Sequence, residues 1–147
     1  MTILCMVLDL VAHEDMELSQ MDVKSASLHG DLHEDIYMEQ PVGHALKGKE
    51  HLVRKIQKSL YGLKQAPREW YQKFDTFMRS QGYTCSEIDH CLYIKRIING
   101  SLQILIFYVD DMLIAGKEKH NVDALKCKLS DTFDMKDLGD ASHMRII

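Results

Sequence analysis

Asp110 and Asp111 stand side by side between two apolar runs, residues 104–109 and 112–114. Neighbouring like charges beside apolar strands raise each other's pKa or recruit a cation. A third carboxylate, Asp22, falls at the end of a short strand-like run at residues 16–23 and is a candidate to converge on the pair. Three carboxylates that offer only oxygen suit Mg2+ or Mn2+, and two such ions can clamp the attacking and leaving oxygens of a phosphoryl transfer. A solvated polar turn is the plain alternative for an arbitrary Asp-Asp pair. Two-residue turns usually take Asn or Gly, however, and no glycine is present here to accept a positive φ.

The elements that must position these acids follow from periodicity. Residues 91–98 and 102–109 are β-rich runs joined through Asn99-Gly100, a pair suited to a two-residue type I′ hairpin. Residues 112–116 make a third strand, with Asp110-Asp111 as the tight turn before it. Residues 36–38 and 52–56 are weaker strand candidates, separated by a loop with Pro41, Gly43 and Gly48. From Pro67 onward, Trp70, Tyr71, Phe74, Phe77 and Met78 share one helical face up to a stop at Gly82, and the aromatic stripe reads as core. A second helix over residues 119–133 aligns Val122, Leu125, Leu129 and Phe133. A third, over residues 2–12 with Thr2 as its cap, is apolar on almost every side (Ile3, Leu4, Met6, Val7, Leu8, Leu10, Val11), so burial by the rest of the fold is expected.

The composition agrees with one soluble globular domain with a real core: 147 residues, 46% hydrophobic and 27% charged, neither disordered nor fibrous. The longest apolar stretch, residues 102–115, is interrupted by Gln103 and the aspartates, so no membrane span is expected. The net charge of −4 argues against a uniformly basic nucleic-acid binder. That charge is segregated, with residues 1–40 at −8, residues 41–73 at +6 and residues 74–147 at −2. Four cysteines without a C-x-x-C pair, and no signal-like start, suggest an intracellular, cytoplasmic setting. His29 with His33, and Asp89-His90-Cys91, are the residues that could suggest zinc ligation, but neither group has a second ligand pair at zinc spacing.

Four runs together make the sequence recognisable. They are Gln20-Met21-Asp22-Val23-Lys24-Ser25-Ala26-Ser27-Leu28-His29-Gly30-Asp31-Leu32, Ile36-Tyr37-Met38-Glu39-Gln40-Pro41, Lys58-Ser59-Leu60-Tyr61-Gly62-Leu63-Lys64-Gln65-Ala66-Pro67-Arg68-Glu69-Trp70-Tyr71 and Tyr108-Val109-Asp110-Asp111-Met112-Leu113-Ile114-Ala115-Gly116. In this order they closely resemble the reverse transcriptase of copia-type LTR retrotransposons, and Phe133-Asp134-Met135-Lys136-Asp137-Leu138-Gly139 fits too. The resemblance implies an α+β, palm-like antiparallel sheet with packed helices, part of a right-hand polymerase. Asp22 and Asp110 would then be the principal ligands of two magnesium ions, with the Val23 carbonyl assisting and Asp111 in support. Ser25, Ala26, Ser27, Tyr61 and Gly62 would contact the nucleotide. Tyr108 would lie near the primer end, and Lys58, Lys64, Gln65 and Arg68 would contact primer or template, with Lys55 contributing to the same basic block. Implied partners are an RNA or DNA template with its primer, deoxynucleoside triphosphates, and the fingers, thumb, ribonuclease H and integrase regions of a polyprotein; no membrane is implied. An active element would place the protein in a cytoplasmic virus-like particle.

Two departures from the family pattern accompany the match. Ser27 stands where the family carries an aromatic ring against the nucleotide sugar, and a hydroxymethyl group cannot fill that space. Basic fingers strands upstream, and thumb and ribonuclease H parts downstream, are expected to be missing from this single partial domain of residues 1–147. The rival reading is a catalytically inactive truncated remnant or a binding fold.

Overall fold

The computed structural model describes residues 2–24, 35–57, 66–108 and 110–140. Three helices, α1 (Thr2–His13), α2 (Ala66–Ser80) and α3 (Lys119–Thr132), accompany eight strands: β1 (Glu17–Val23), β2 (Tyr37–Met38), β3 (Arg54–Lys55), β4 (Thr84–Cys85), β5 (Leu92–Arg96), β6 (Leu102–Tyr108), β7 (Asp111–Gly116) and β8 (Met135–Asp140). The architecture is α+β, as the resemblance implies. Two compact units divide the chain, one of residues 27–74 and the other of residues 1–26 with 75–147.

The larger unit holds a six-stranded sheet in the order β4-β5-β6-β7-β1-β8, and every neighbouring pair is antiparallel. β1 is inserted between β7 and β8. Both of those strands run antiparallel to β1 and are therefore parallel to each other, and α3 provides the long crossover that parallel strands require.

Alternation along β1 sends Ser19, Met21 and Val23 to one face and Leu18, Gln20 and Asp22 to the other. The first face is covered by α3, through Val122, Leu125 and Leu129. A Cβ added at Gly116 would lie 3.0 Å from Val122 Cγ2, so β7 and α3 approach closely there. Phe133 at the end of α3 meets Phe77 edge to face at 5.3 Å between centroids, and the Tyr93 hydroxyl donates to Asp75 Oδ1 at 2.9 Å. On the second face, Val7 and Val11 of α1 pack against Ile104 and Ala115, with Leu18, Leu102 and Ile106 around them. Full burial of an aliphatic side chain contributes about 1.5–3 kcal/mol, so this sandwich holds the sheet rigid beneath its exposed end.

Several local expectations need correction. α1 is buried along a single stripe, and Met6 remains 65% exposed; the sheet offers one surface to an all-round apolar helix. The Asn99-Gly100 connection is a three-residue turn in place of a two-residue type I′ turn. Ile97 N–H donates to the Ser101 carbonyl and Gly100 N–H to the Ile97 carbonyl, each at 2.8 Å. Only Gly100 is left-handed in this turn (φ +86°), as in a type I turn closed by a glycine. Asn99 Oδ1 accepts from Ser101 N–H at 3.0 Å and from Ser101 Oγ at 2.6 Å, which fixes the turn. At the next connection Tyr108 pairs with Asp111, so Asp111 begins β7 and Asp110 alone of the two aspartates lies in the turn.

In the smaller unit, β2 and β3 pair antiparallel. Gln40 organises the loop between them: its Nε2 donates to the carbonyls of Lys49 and Leu52, both at 2.8 Å, and its Oε1 accepts from Leu46 N–H at 2.9 Å. Lys55 is paired with Asp35 at 2.6 Å.

Candidate carboxylate site

One row of residues crosses four adjacent strands of the larger unit. Tyr108 on β6 pairs with Asp111 on β7, Asp111 with Asp22 on β1, and Asp22 with Lys136 on β8. Directly paired residues present their side chains on the same face, with Cβ atoms about 4.5–5.5 Å apart. The row lies towards the opposite end of the strands from the α1 contacts, and Tyr108 at its margin is 63% exposed. Beside the row, the Asp110 carbonyl accepts a hydrogen bond from Val23 N–H at 2.8 Å, which ties the turn to the end of β1.

The electrostatics follow from this register. Burial, then the charges of Asp22 and Asp111, push the Asp110 carboxyl above its ordinary value. Asp111 is also raised, by burial, then by the Asp22 charge and its side-chain contact. Carboxylates that oppose each other's ionisation are an all-oxygen donor set, and that chemistry fits a hard divalent cation. Among the described residues no three His, Cys, Asp or Glu side chains are grouped closely enough to form a ready ligand cluster. The convergence expected from the sequence is therefore a cross-strand Asp22/Asp111 pair with Asp110 adjacent, and not a closed triad.

β8 reaches the row through a bulge. Gln20 pairs with Gly139 but Met21 with Asp137, a one-residue shift that leaves Leu138 without a partner on β1. Gly139 supplies the left-handed φ of +76° there. Without the shift, Asp137 would stand opposite Asp22. With it, Asp137 turns to the other face, where Lys126 of α3 holds it at 2.8 Å and, through that hydrogen bond, keeps its pKa low. Lys24 fastens the start of the segment, through its N–H to the Asp134 carbonyl at 2.9 Å and its Nζ to Asp134 Oδ1 at 3.8 Å. The sequence reading missed β8 altogether, because its polar, exposed residues carry no alternating pattern.

Of the residues singled out from the sequence, Asp22, Val23, Tyr108, Asp110 and Asp111 come together at this end of the sheet. Arg68 is exposed on the first turn of α2, in the smaller unit. Ser25, Ala26, Ser27, Lys58, Tyr61, Gly62, Lys64 and Gln65 lie outside the described residues, as do His29 and His33. At the other considered cluster, Asp89 Oδ1 accepts from Cys91 N–H at 2.9 Å, and Cys85 Sγ is 4.0 Å from His90 Nδ1. All four cysteines are free thiols. Among the described residues no helix is long and apolar enough to cross a membrane.

Comparison with known proteins adds a second line. The family model described as reverse transcriptase (RNA-dependent DNA polymerase) matches residues 1–147. The retrovirus-related Pol polyprotein from transposon TNT 1-94 of Nicotiana tabacum is 56% identical over 144 residues, covering 98% of this chain and 11% of that protein. The corresponding polyprotein from transposon RE1 of Arabidopsis thaliana is 36% identical over 131 residues, covering 89% of this chain and 9% of that protein. A putative transposon Ty5-1 protein of Saccharomyces cerevisiae is 34% identical over 119 residues, 81% of this chain and 38% of that protein. The chain thus spans about a tenth of the length of the plant polyproteins it matches. No solved structure matches it.

Proposed function

Since this chain belongs to the reverse transcriptase (RNA-dependent DNA polymerase) family, we propose that its larger unit is the palm of a copia-type RNA-directed DNA polymerase. The carboxylate row is then the place where nucleotides are joined. The register of Tyr108, Asp111 and Asp22, with Asp110 tied to Val23 beside it, carries this reading. In the reaction a primer 3′ hydroxyl attacks the α-phosphate of a deoxynucleoside triphosphate; the new oxygen–phosphorus bond forms as the bond to the β-phosphate oxygen breaks, and pyrophosphate leaves. Asp22 and Asp110, with the Val23 carbonyl assisting and Asp111 in support, would hold Mg2+ or Mn2+, which would supply charge neutralisation for the transfer.

The protein's own share is positioning. The Val23 to Asp110 hydrogen bond keeps the two principal carboxylates on adjoining strand ends. Tyr108 lies beside the primer terminus. Ser25, Ala26, Ser27, Tyr61 and Gly62 contact the nucleotide, and Lys58, Lys64, Gln65 and Arg68 contact primer or template phosphates, a salt-sensitive interaction. The partners are a primed RNA or DNA template and the other regions of a polyprotein, and the setting is the cytoplasm.

The test is Mg2+-dependent primer extension on an RNA template, run with the purified chain and with the same residues inside a complete Pol polyprotein. Asp110→Asn is expected to lower the rate by about 10^3-fold, the loss of several kcal/mol of charge stabilisation. Extension that survives this substitution refutes the assignment. A second reading, an inactive remnant that keeps the fold, is favoured by Ser27 at the sugar-facing position. It predicts no extension in either context with every aspartate intact.

A further inference from the structure

We propose that Lys136 is a phosphate-binding residue of this site, its ammonium taking a phosphoryl oxygen of the ligand that lies over Asp22 and Asp111. The inference rests on the reading of the row as a nucleotidyl-transfer centre and adds to it a residue on the edge strand. Three observations converge. Register places Lys136 directly opposite Asp22, so both side chains share a face and lie about one strand spacing apart. The bulge after Gln20 is what brings a lysine there, since an unshifted β8 would set the Asp137 carboxylate against Asp22. The neighbouring residue is pinned to the other face by the Lys126 to Asp137 ion pair, in which Lys126 is only 13% exposed, so alternation holds Lys136 on the aspartate side.

Charge explains what the lysine is for. Lys136 is exposed and makes no ion pair among the described residues, although Asp22 is its direct cross-strand neighbour. The nearby lysines are committed, Lys24 to Asp134 and Lys126 to Asp137. A polyphosphate entering a row of carboxylates is repelled by them. A compact ammonium at the end of the row offers charge-assisted hydrogen bonds to its non-bridging oxygens. Those oxygens can come from the triphosphate of a nucleotide or from a backbone phosphate of the primer strand.

The experiment measures binding by the purified chain to dTTP with Mg2+, to inorganic pyrophosphate with Mg2+, and to a primer–template duplex, by calorimetry or fluorescence. Lys136→Gln is expected to weaken binding about 10-fold. Loss in the dTTP and pyrophosphate arms assigns the nucleotide's phosphates, and loss in the duplex arm assigns the primer's. Lys136→Arg is expected to stay within about 3-fold of wild type. Lys128→Gln, which removes an exposed charge from α3, is expected to change nothing. Unaltered binding of Lys136→Gln in all arms overturns the proposal, and so does an equal loss in Lys128→Gln, which would mark a general field effect. Asp110→Asn separates the two levels. If it abolishes Mg2+-dependent dTTP binding while Lys136→Gln weakens binding in none of the three arms, the lysine assignment alone fails. If Asp110→Asn binds normally, or wild type binds none of the three probes, the reading of the site fails and takes this proposal with it. Unchanged thermal unfolding of Lys136→Gln confirms that the exposed substitution leaves the fold intact.

Discussion

Leu18, Ala115 and Ile104 form one row across β1, β7 and β6; Asp22, Asp111 and Tyr108 form another on the same face, four residues further along β1. Backbone geometry is common to both, and the side chains make the difference. The first row disappears beneath Val7 and Val11 of α1 and contributes burial. The second sets two carboxylates in direct opposition, with a third raised by burial and then by their charges, and like charges directly opposite are destabilising. A sheet that keeps a destabilising row next to a well-packed one has the signature of a binding or catalytic site.

Substitutions that exchange the properties of the two rows test the contrast. The largest effect is expected from Asp22→Asn, which should lower Mg2+-dependent primer extension about 10^3-fold with little change in unfolding temperature. Next comes Ile104→Ala in the apolar row, expected to destabilise by about 2–5 kcal/mol in urea unfolding while leaving cation binding by the folded protein unchanged.

A smaller effect of opposite sign is expected from Asp111→Asn. Because Asp110 and Asp111 are raised in the folded state, the fold binds their protons more tightly than the unfolded chain does. Their contribution therefore falls as pH rises from the ordinary carboxylate value through the raised one, and at neutral pH the pair costs stability. Removing one charge should stabilise by about 0.5 kcal/mol, discounted for solvent screening, and should flatten that part of the stability profile in pH-dependent denaturation. The smallest effect is expected from Lys126→Met, about 0.5 kcal/mol or less, with faster amide exchange confined to β8. Asp137 is depressed by Lys126, so this pair's contribution is present at neutral pH and is lost as pH falls through the depressed value.

The residues themselves made much of this legible. The aromatic stripe of α2 and the Val122, Leu125, Leu129 stripe of α3 have a helical period that only a buried face explains, and both helices are found. The meander is legible because β5 and β6 are rich in branched and aromatic residues and β7 is apolar after Asp111. Asp22 and the Asp110/Asp111 pair stood out because acids closing apolar strands need a reason.

What escaped the reading depended on tertiary partners. Asn99-Gly100 suits a two-residue turn by local preference, but Asn99 spends its side chain on Ser101 and the hairpin closes one pair further out. α1 looks buried all round because sequence gives apolarity without the number of surfaces available to cover it. β4 is two residues long, and β8 is an exposed edge strand whose place depends on a bulge and on one lysine from α3. No one-dimensional pattern encodes that pairing, and so Lys136 became noticeable only through its register with Asp22.

The most direct test of the central claim, that the charged row holds a divalent cation for phosphate chemistry, is a Mn2+ titration of the purified chain followed by electron paramagnetic resonance. Wild type is predicted to bind Mn2+, competed by Mg2+ and tightened by dTTP, whereas Asp22→Asn and Asp110→Asn should each bind at least about 10-fold more weakly. Equal Mn2+ affinity in wild type and in both asparagine variants would contradict the account.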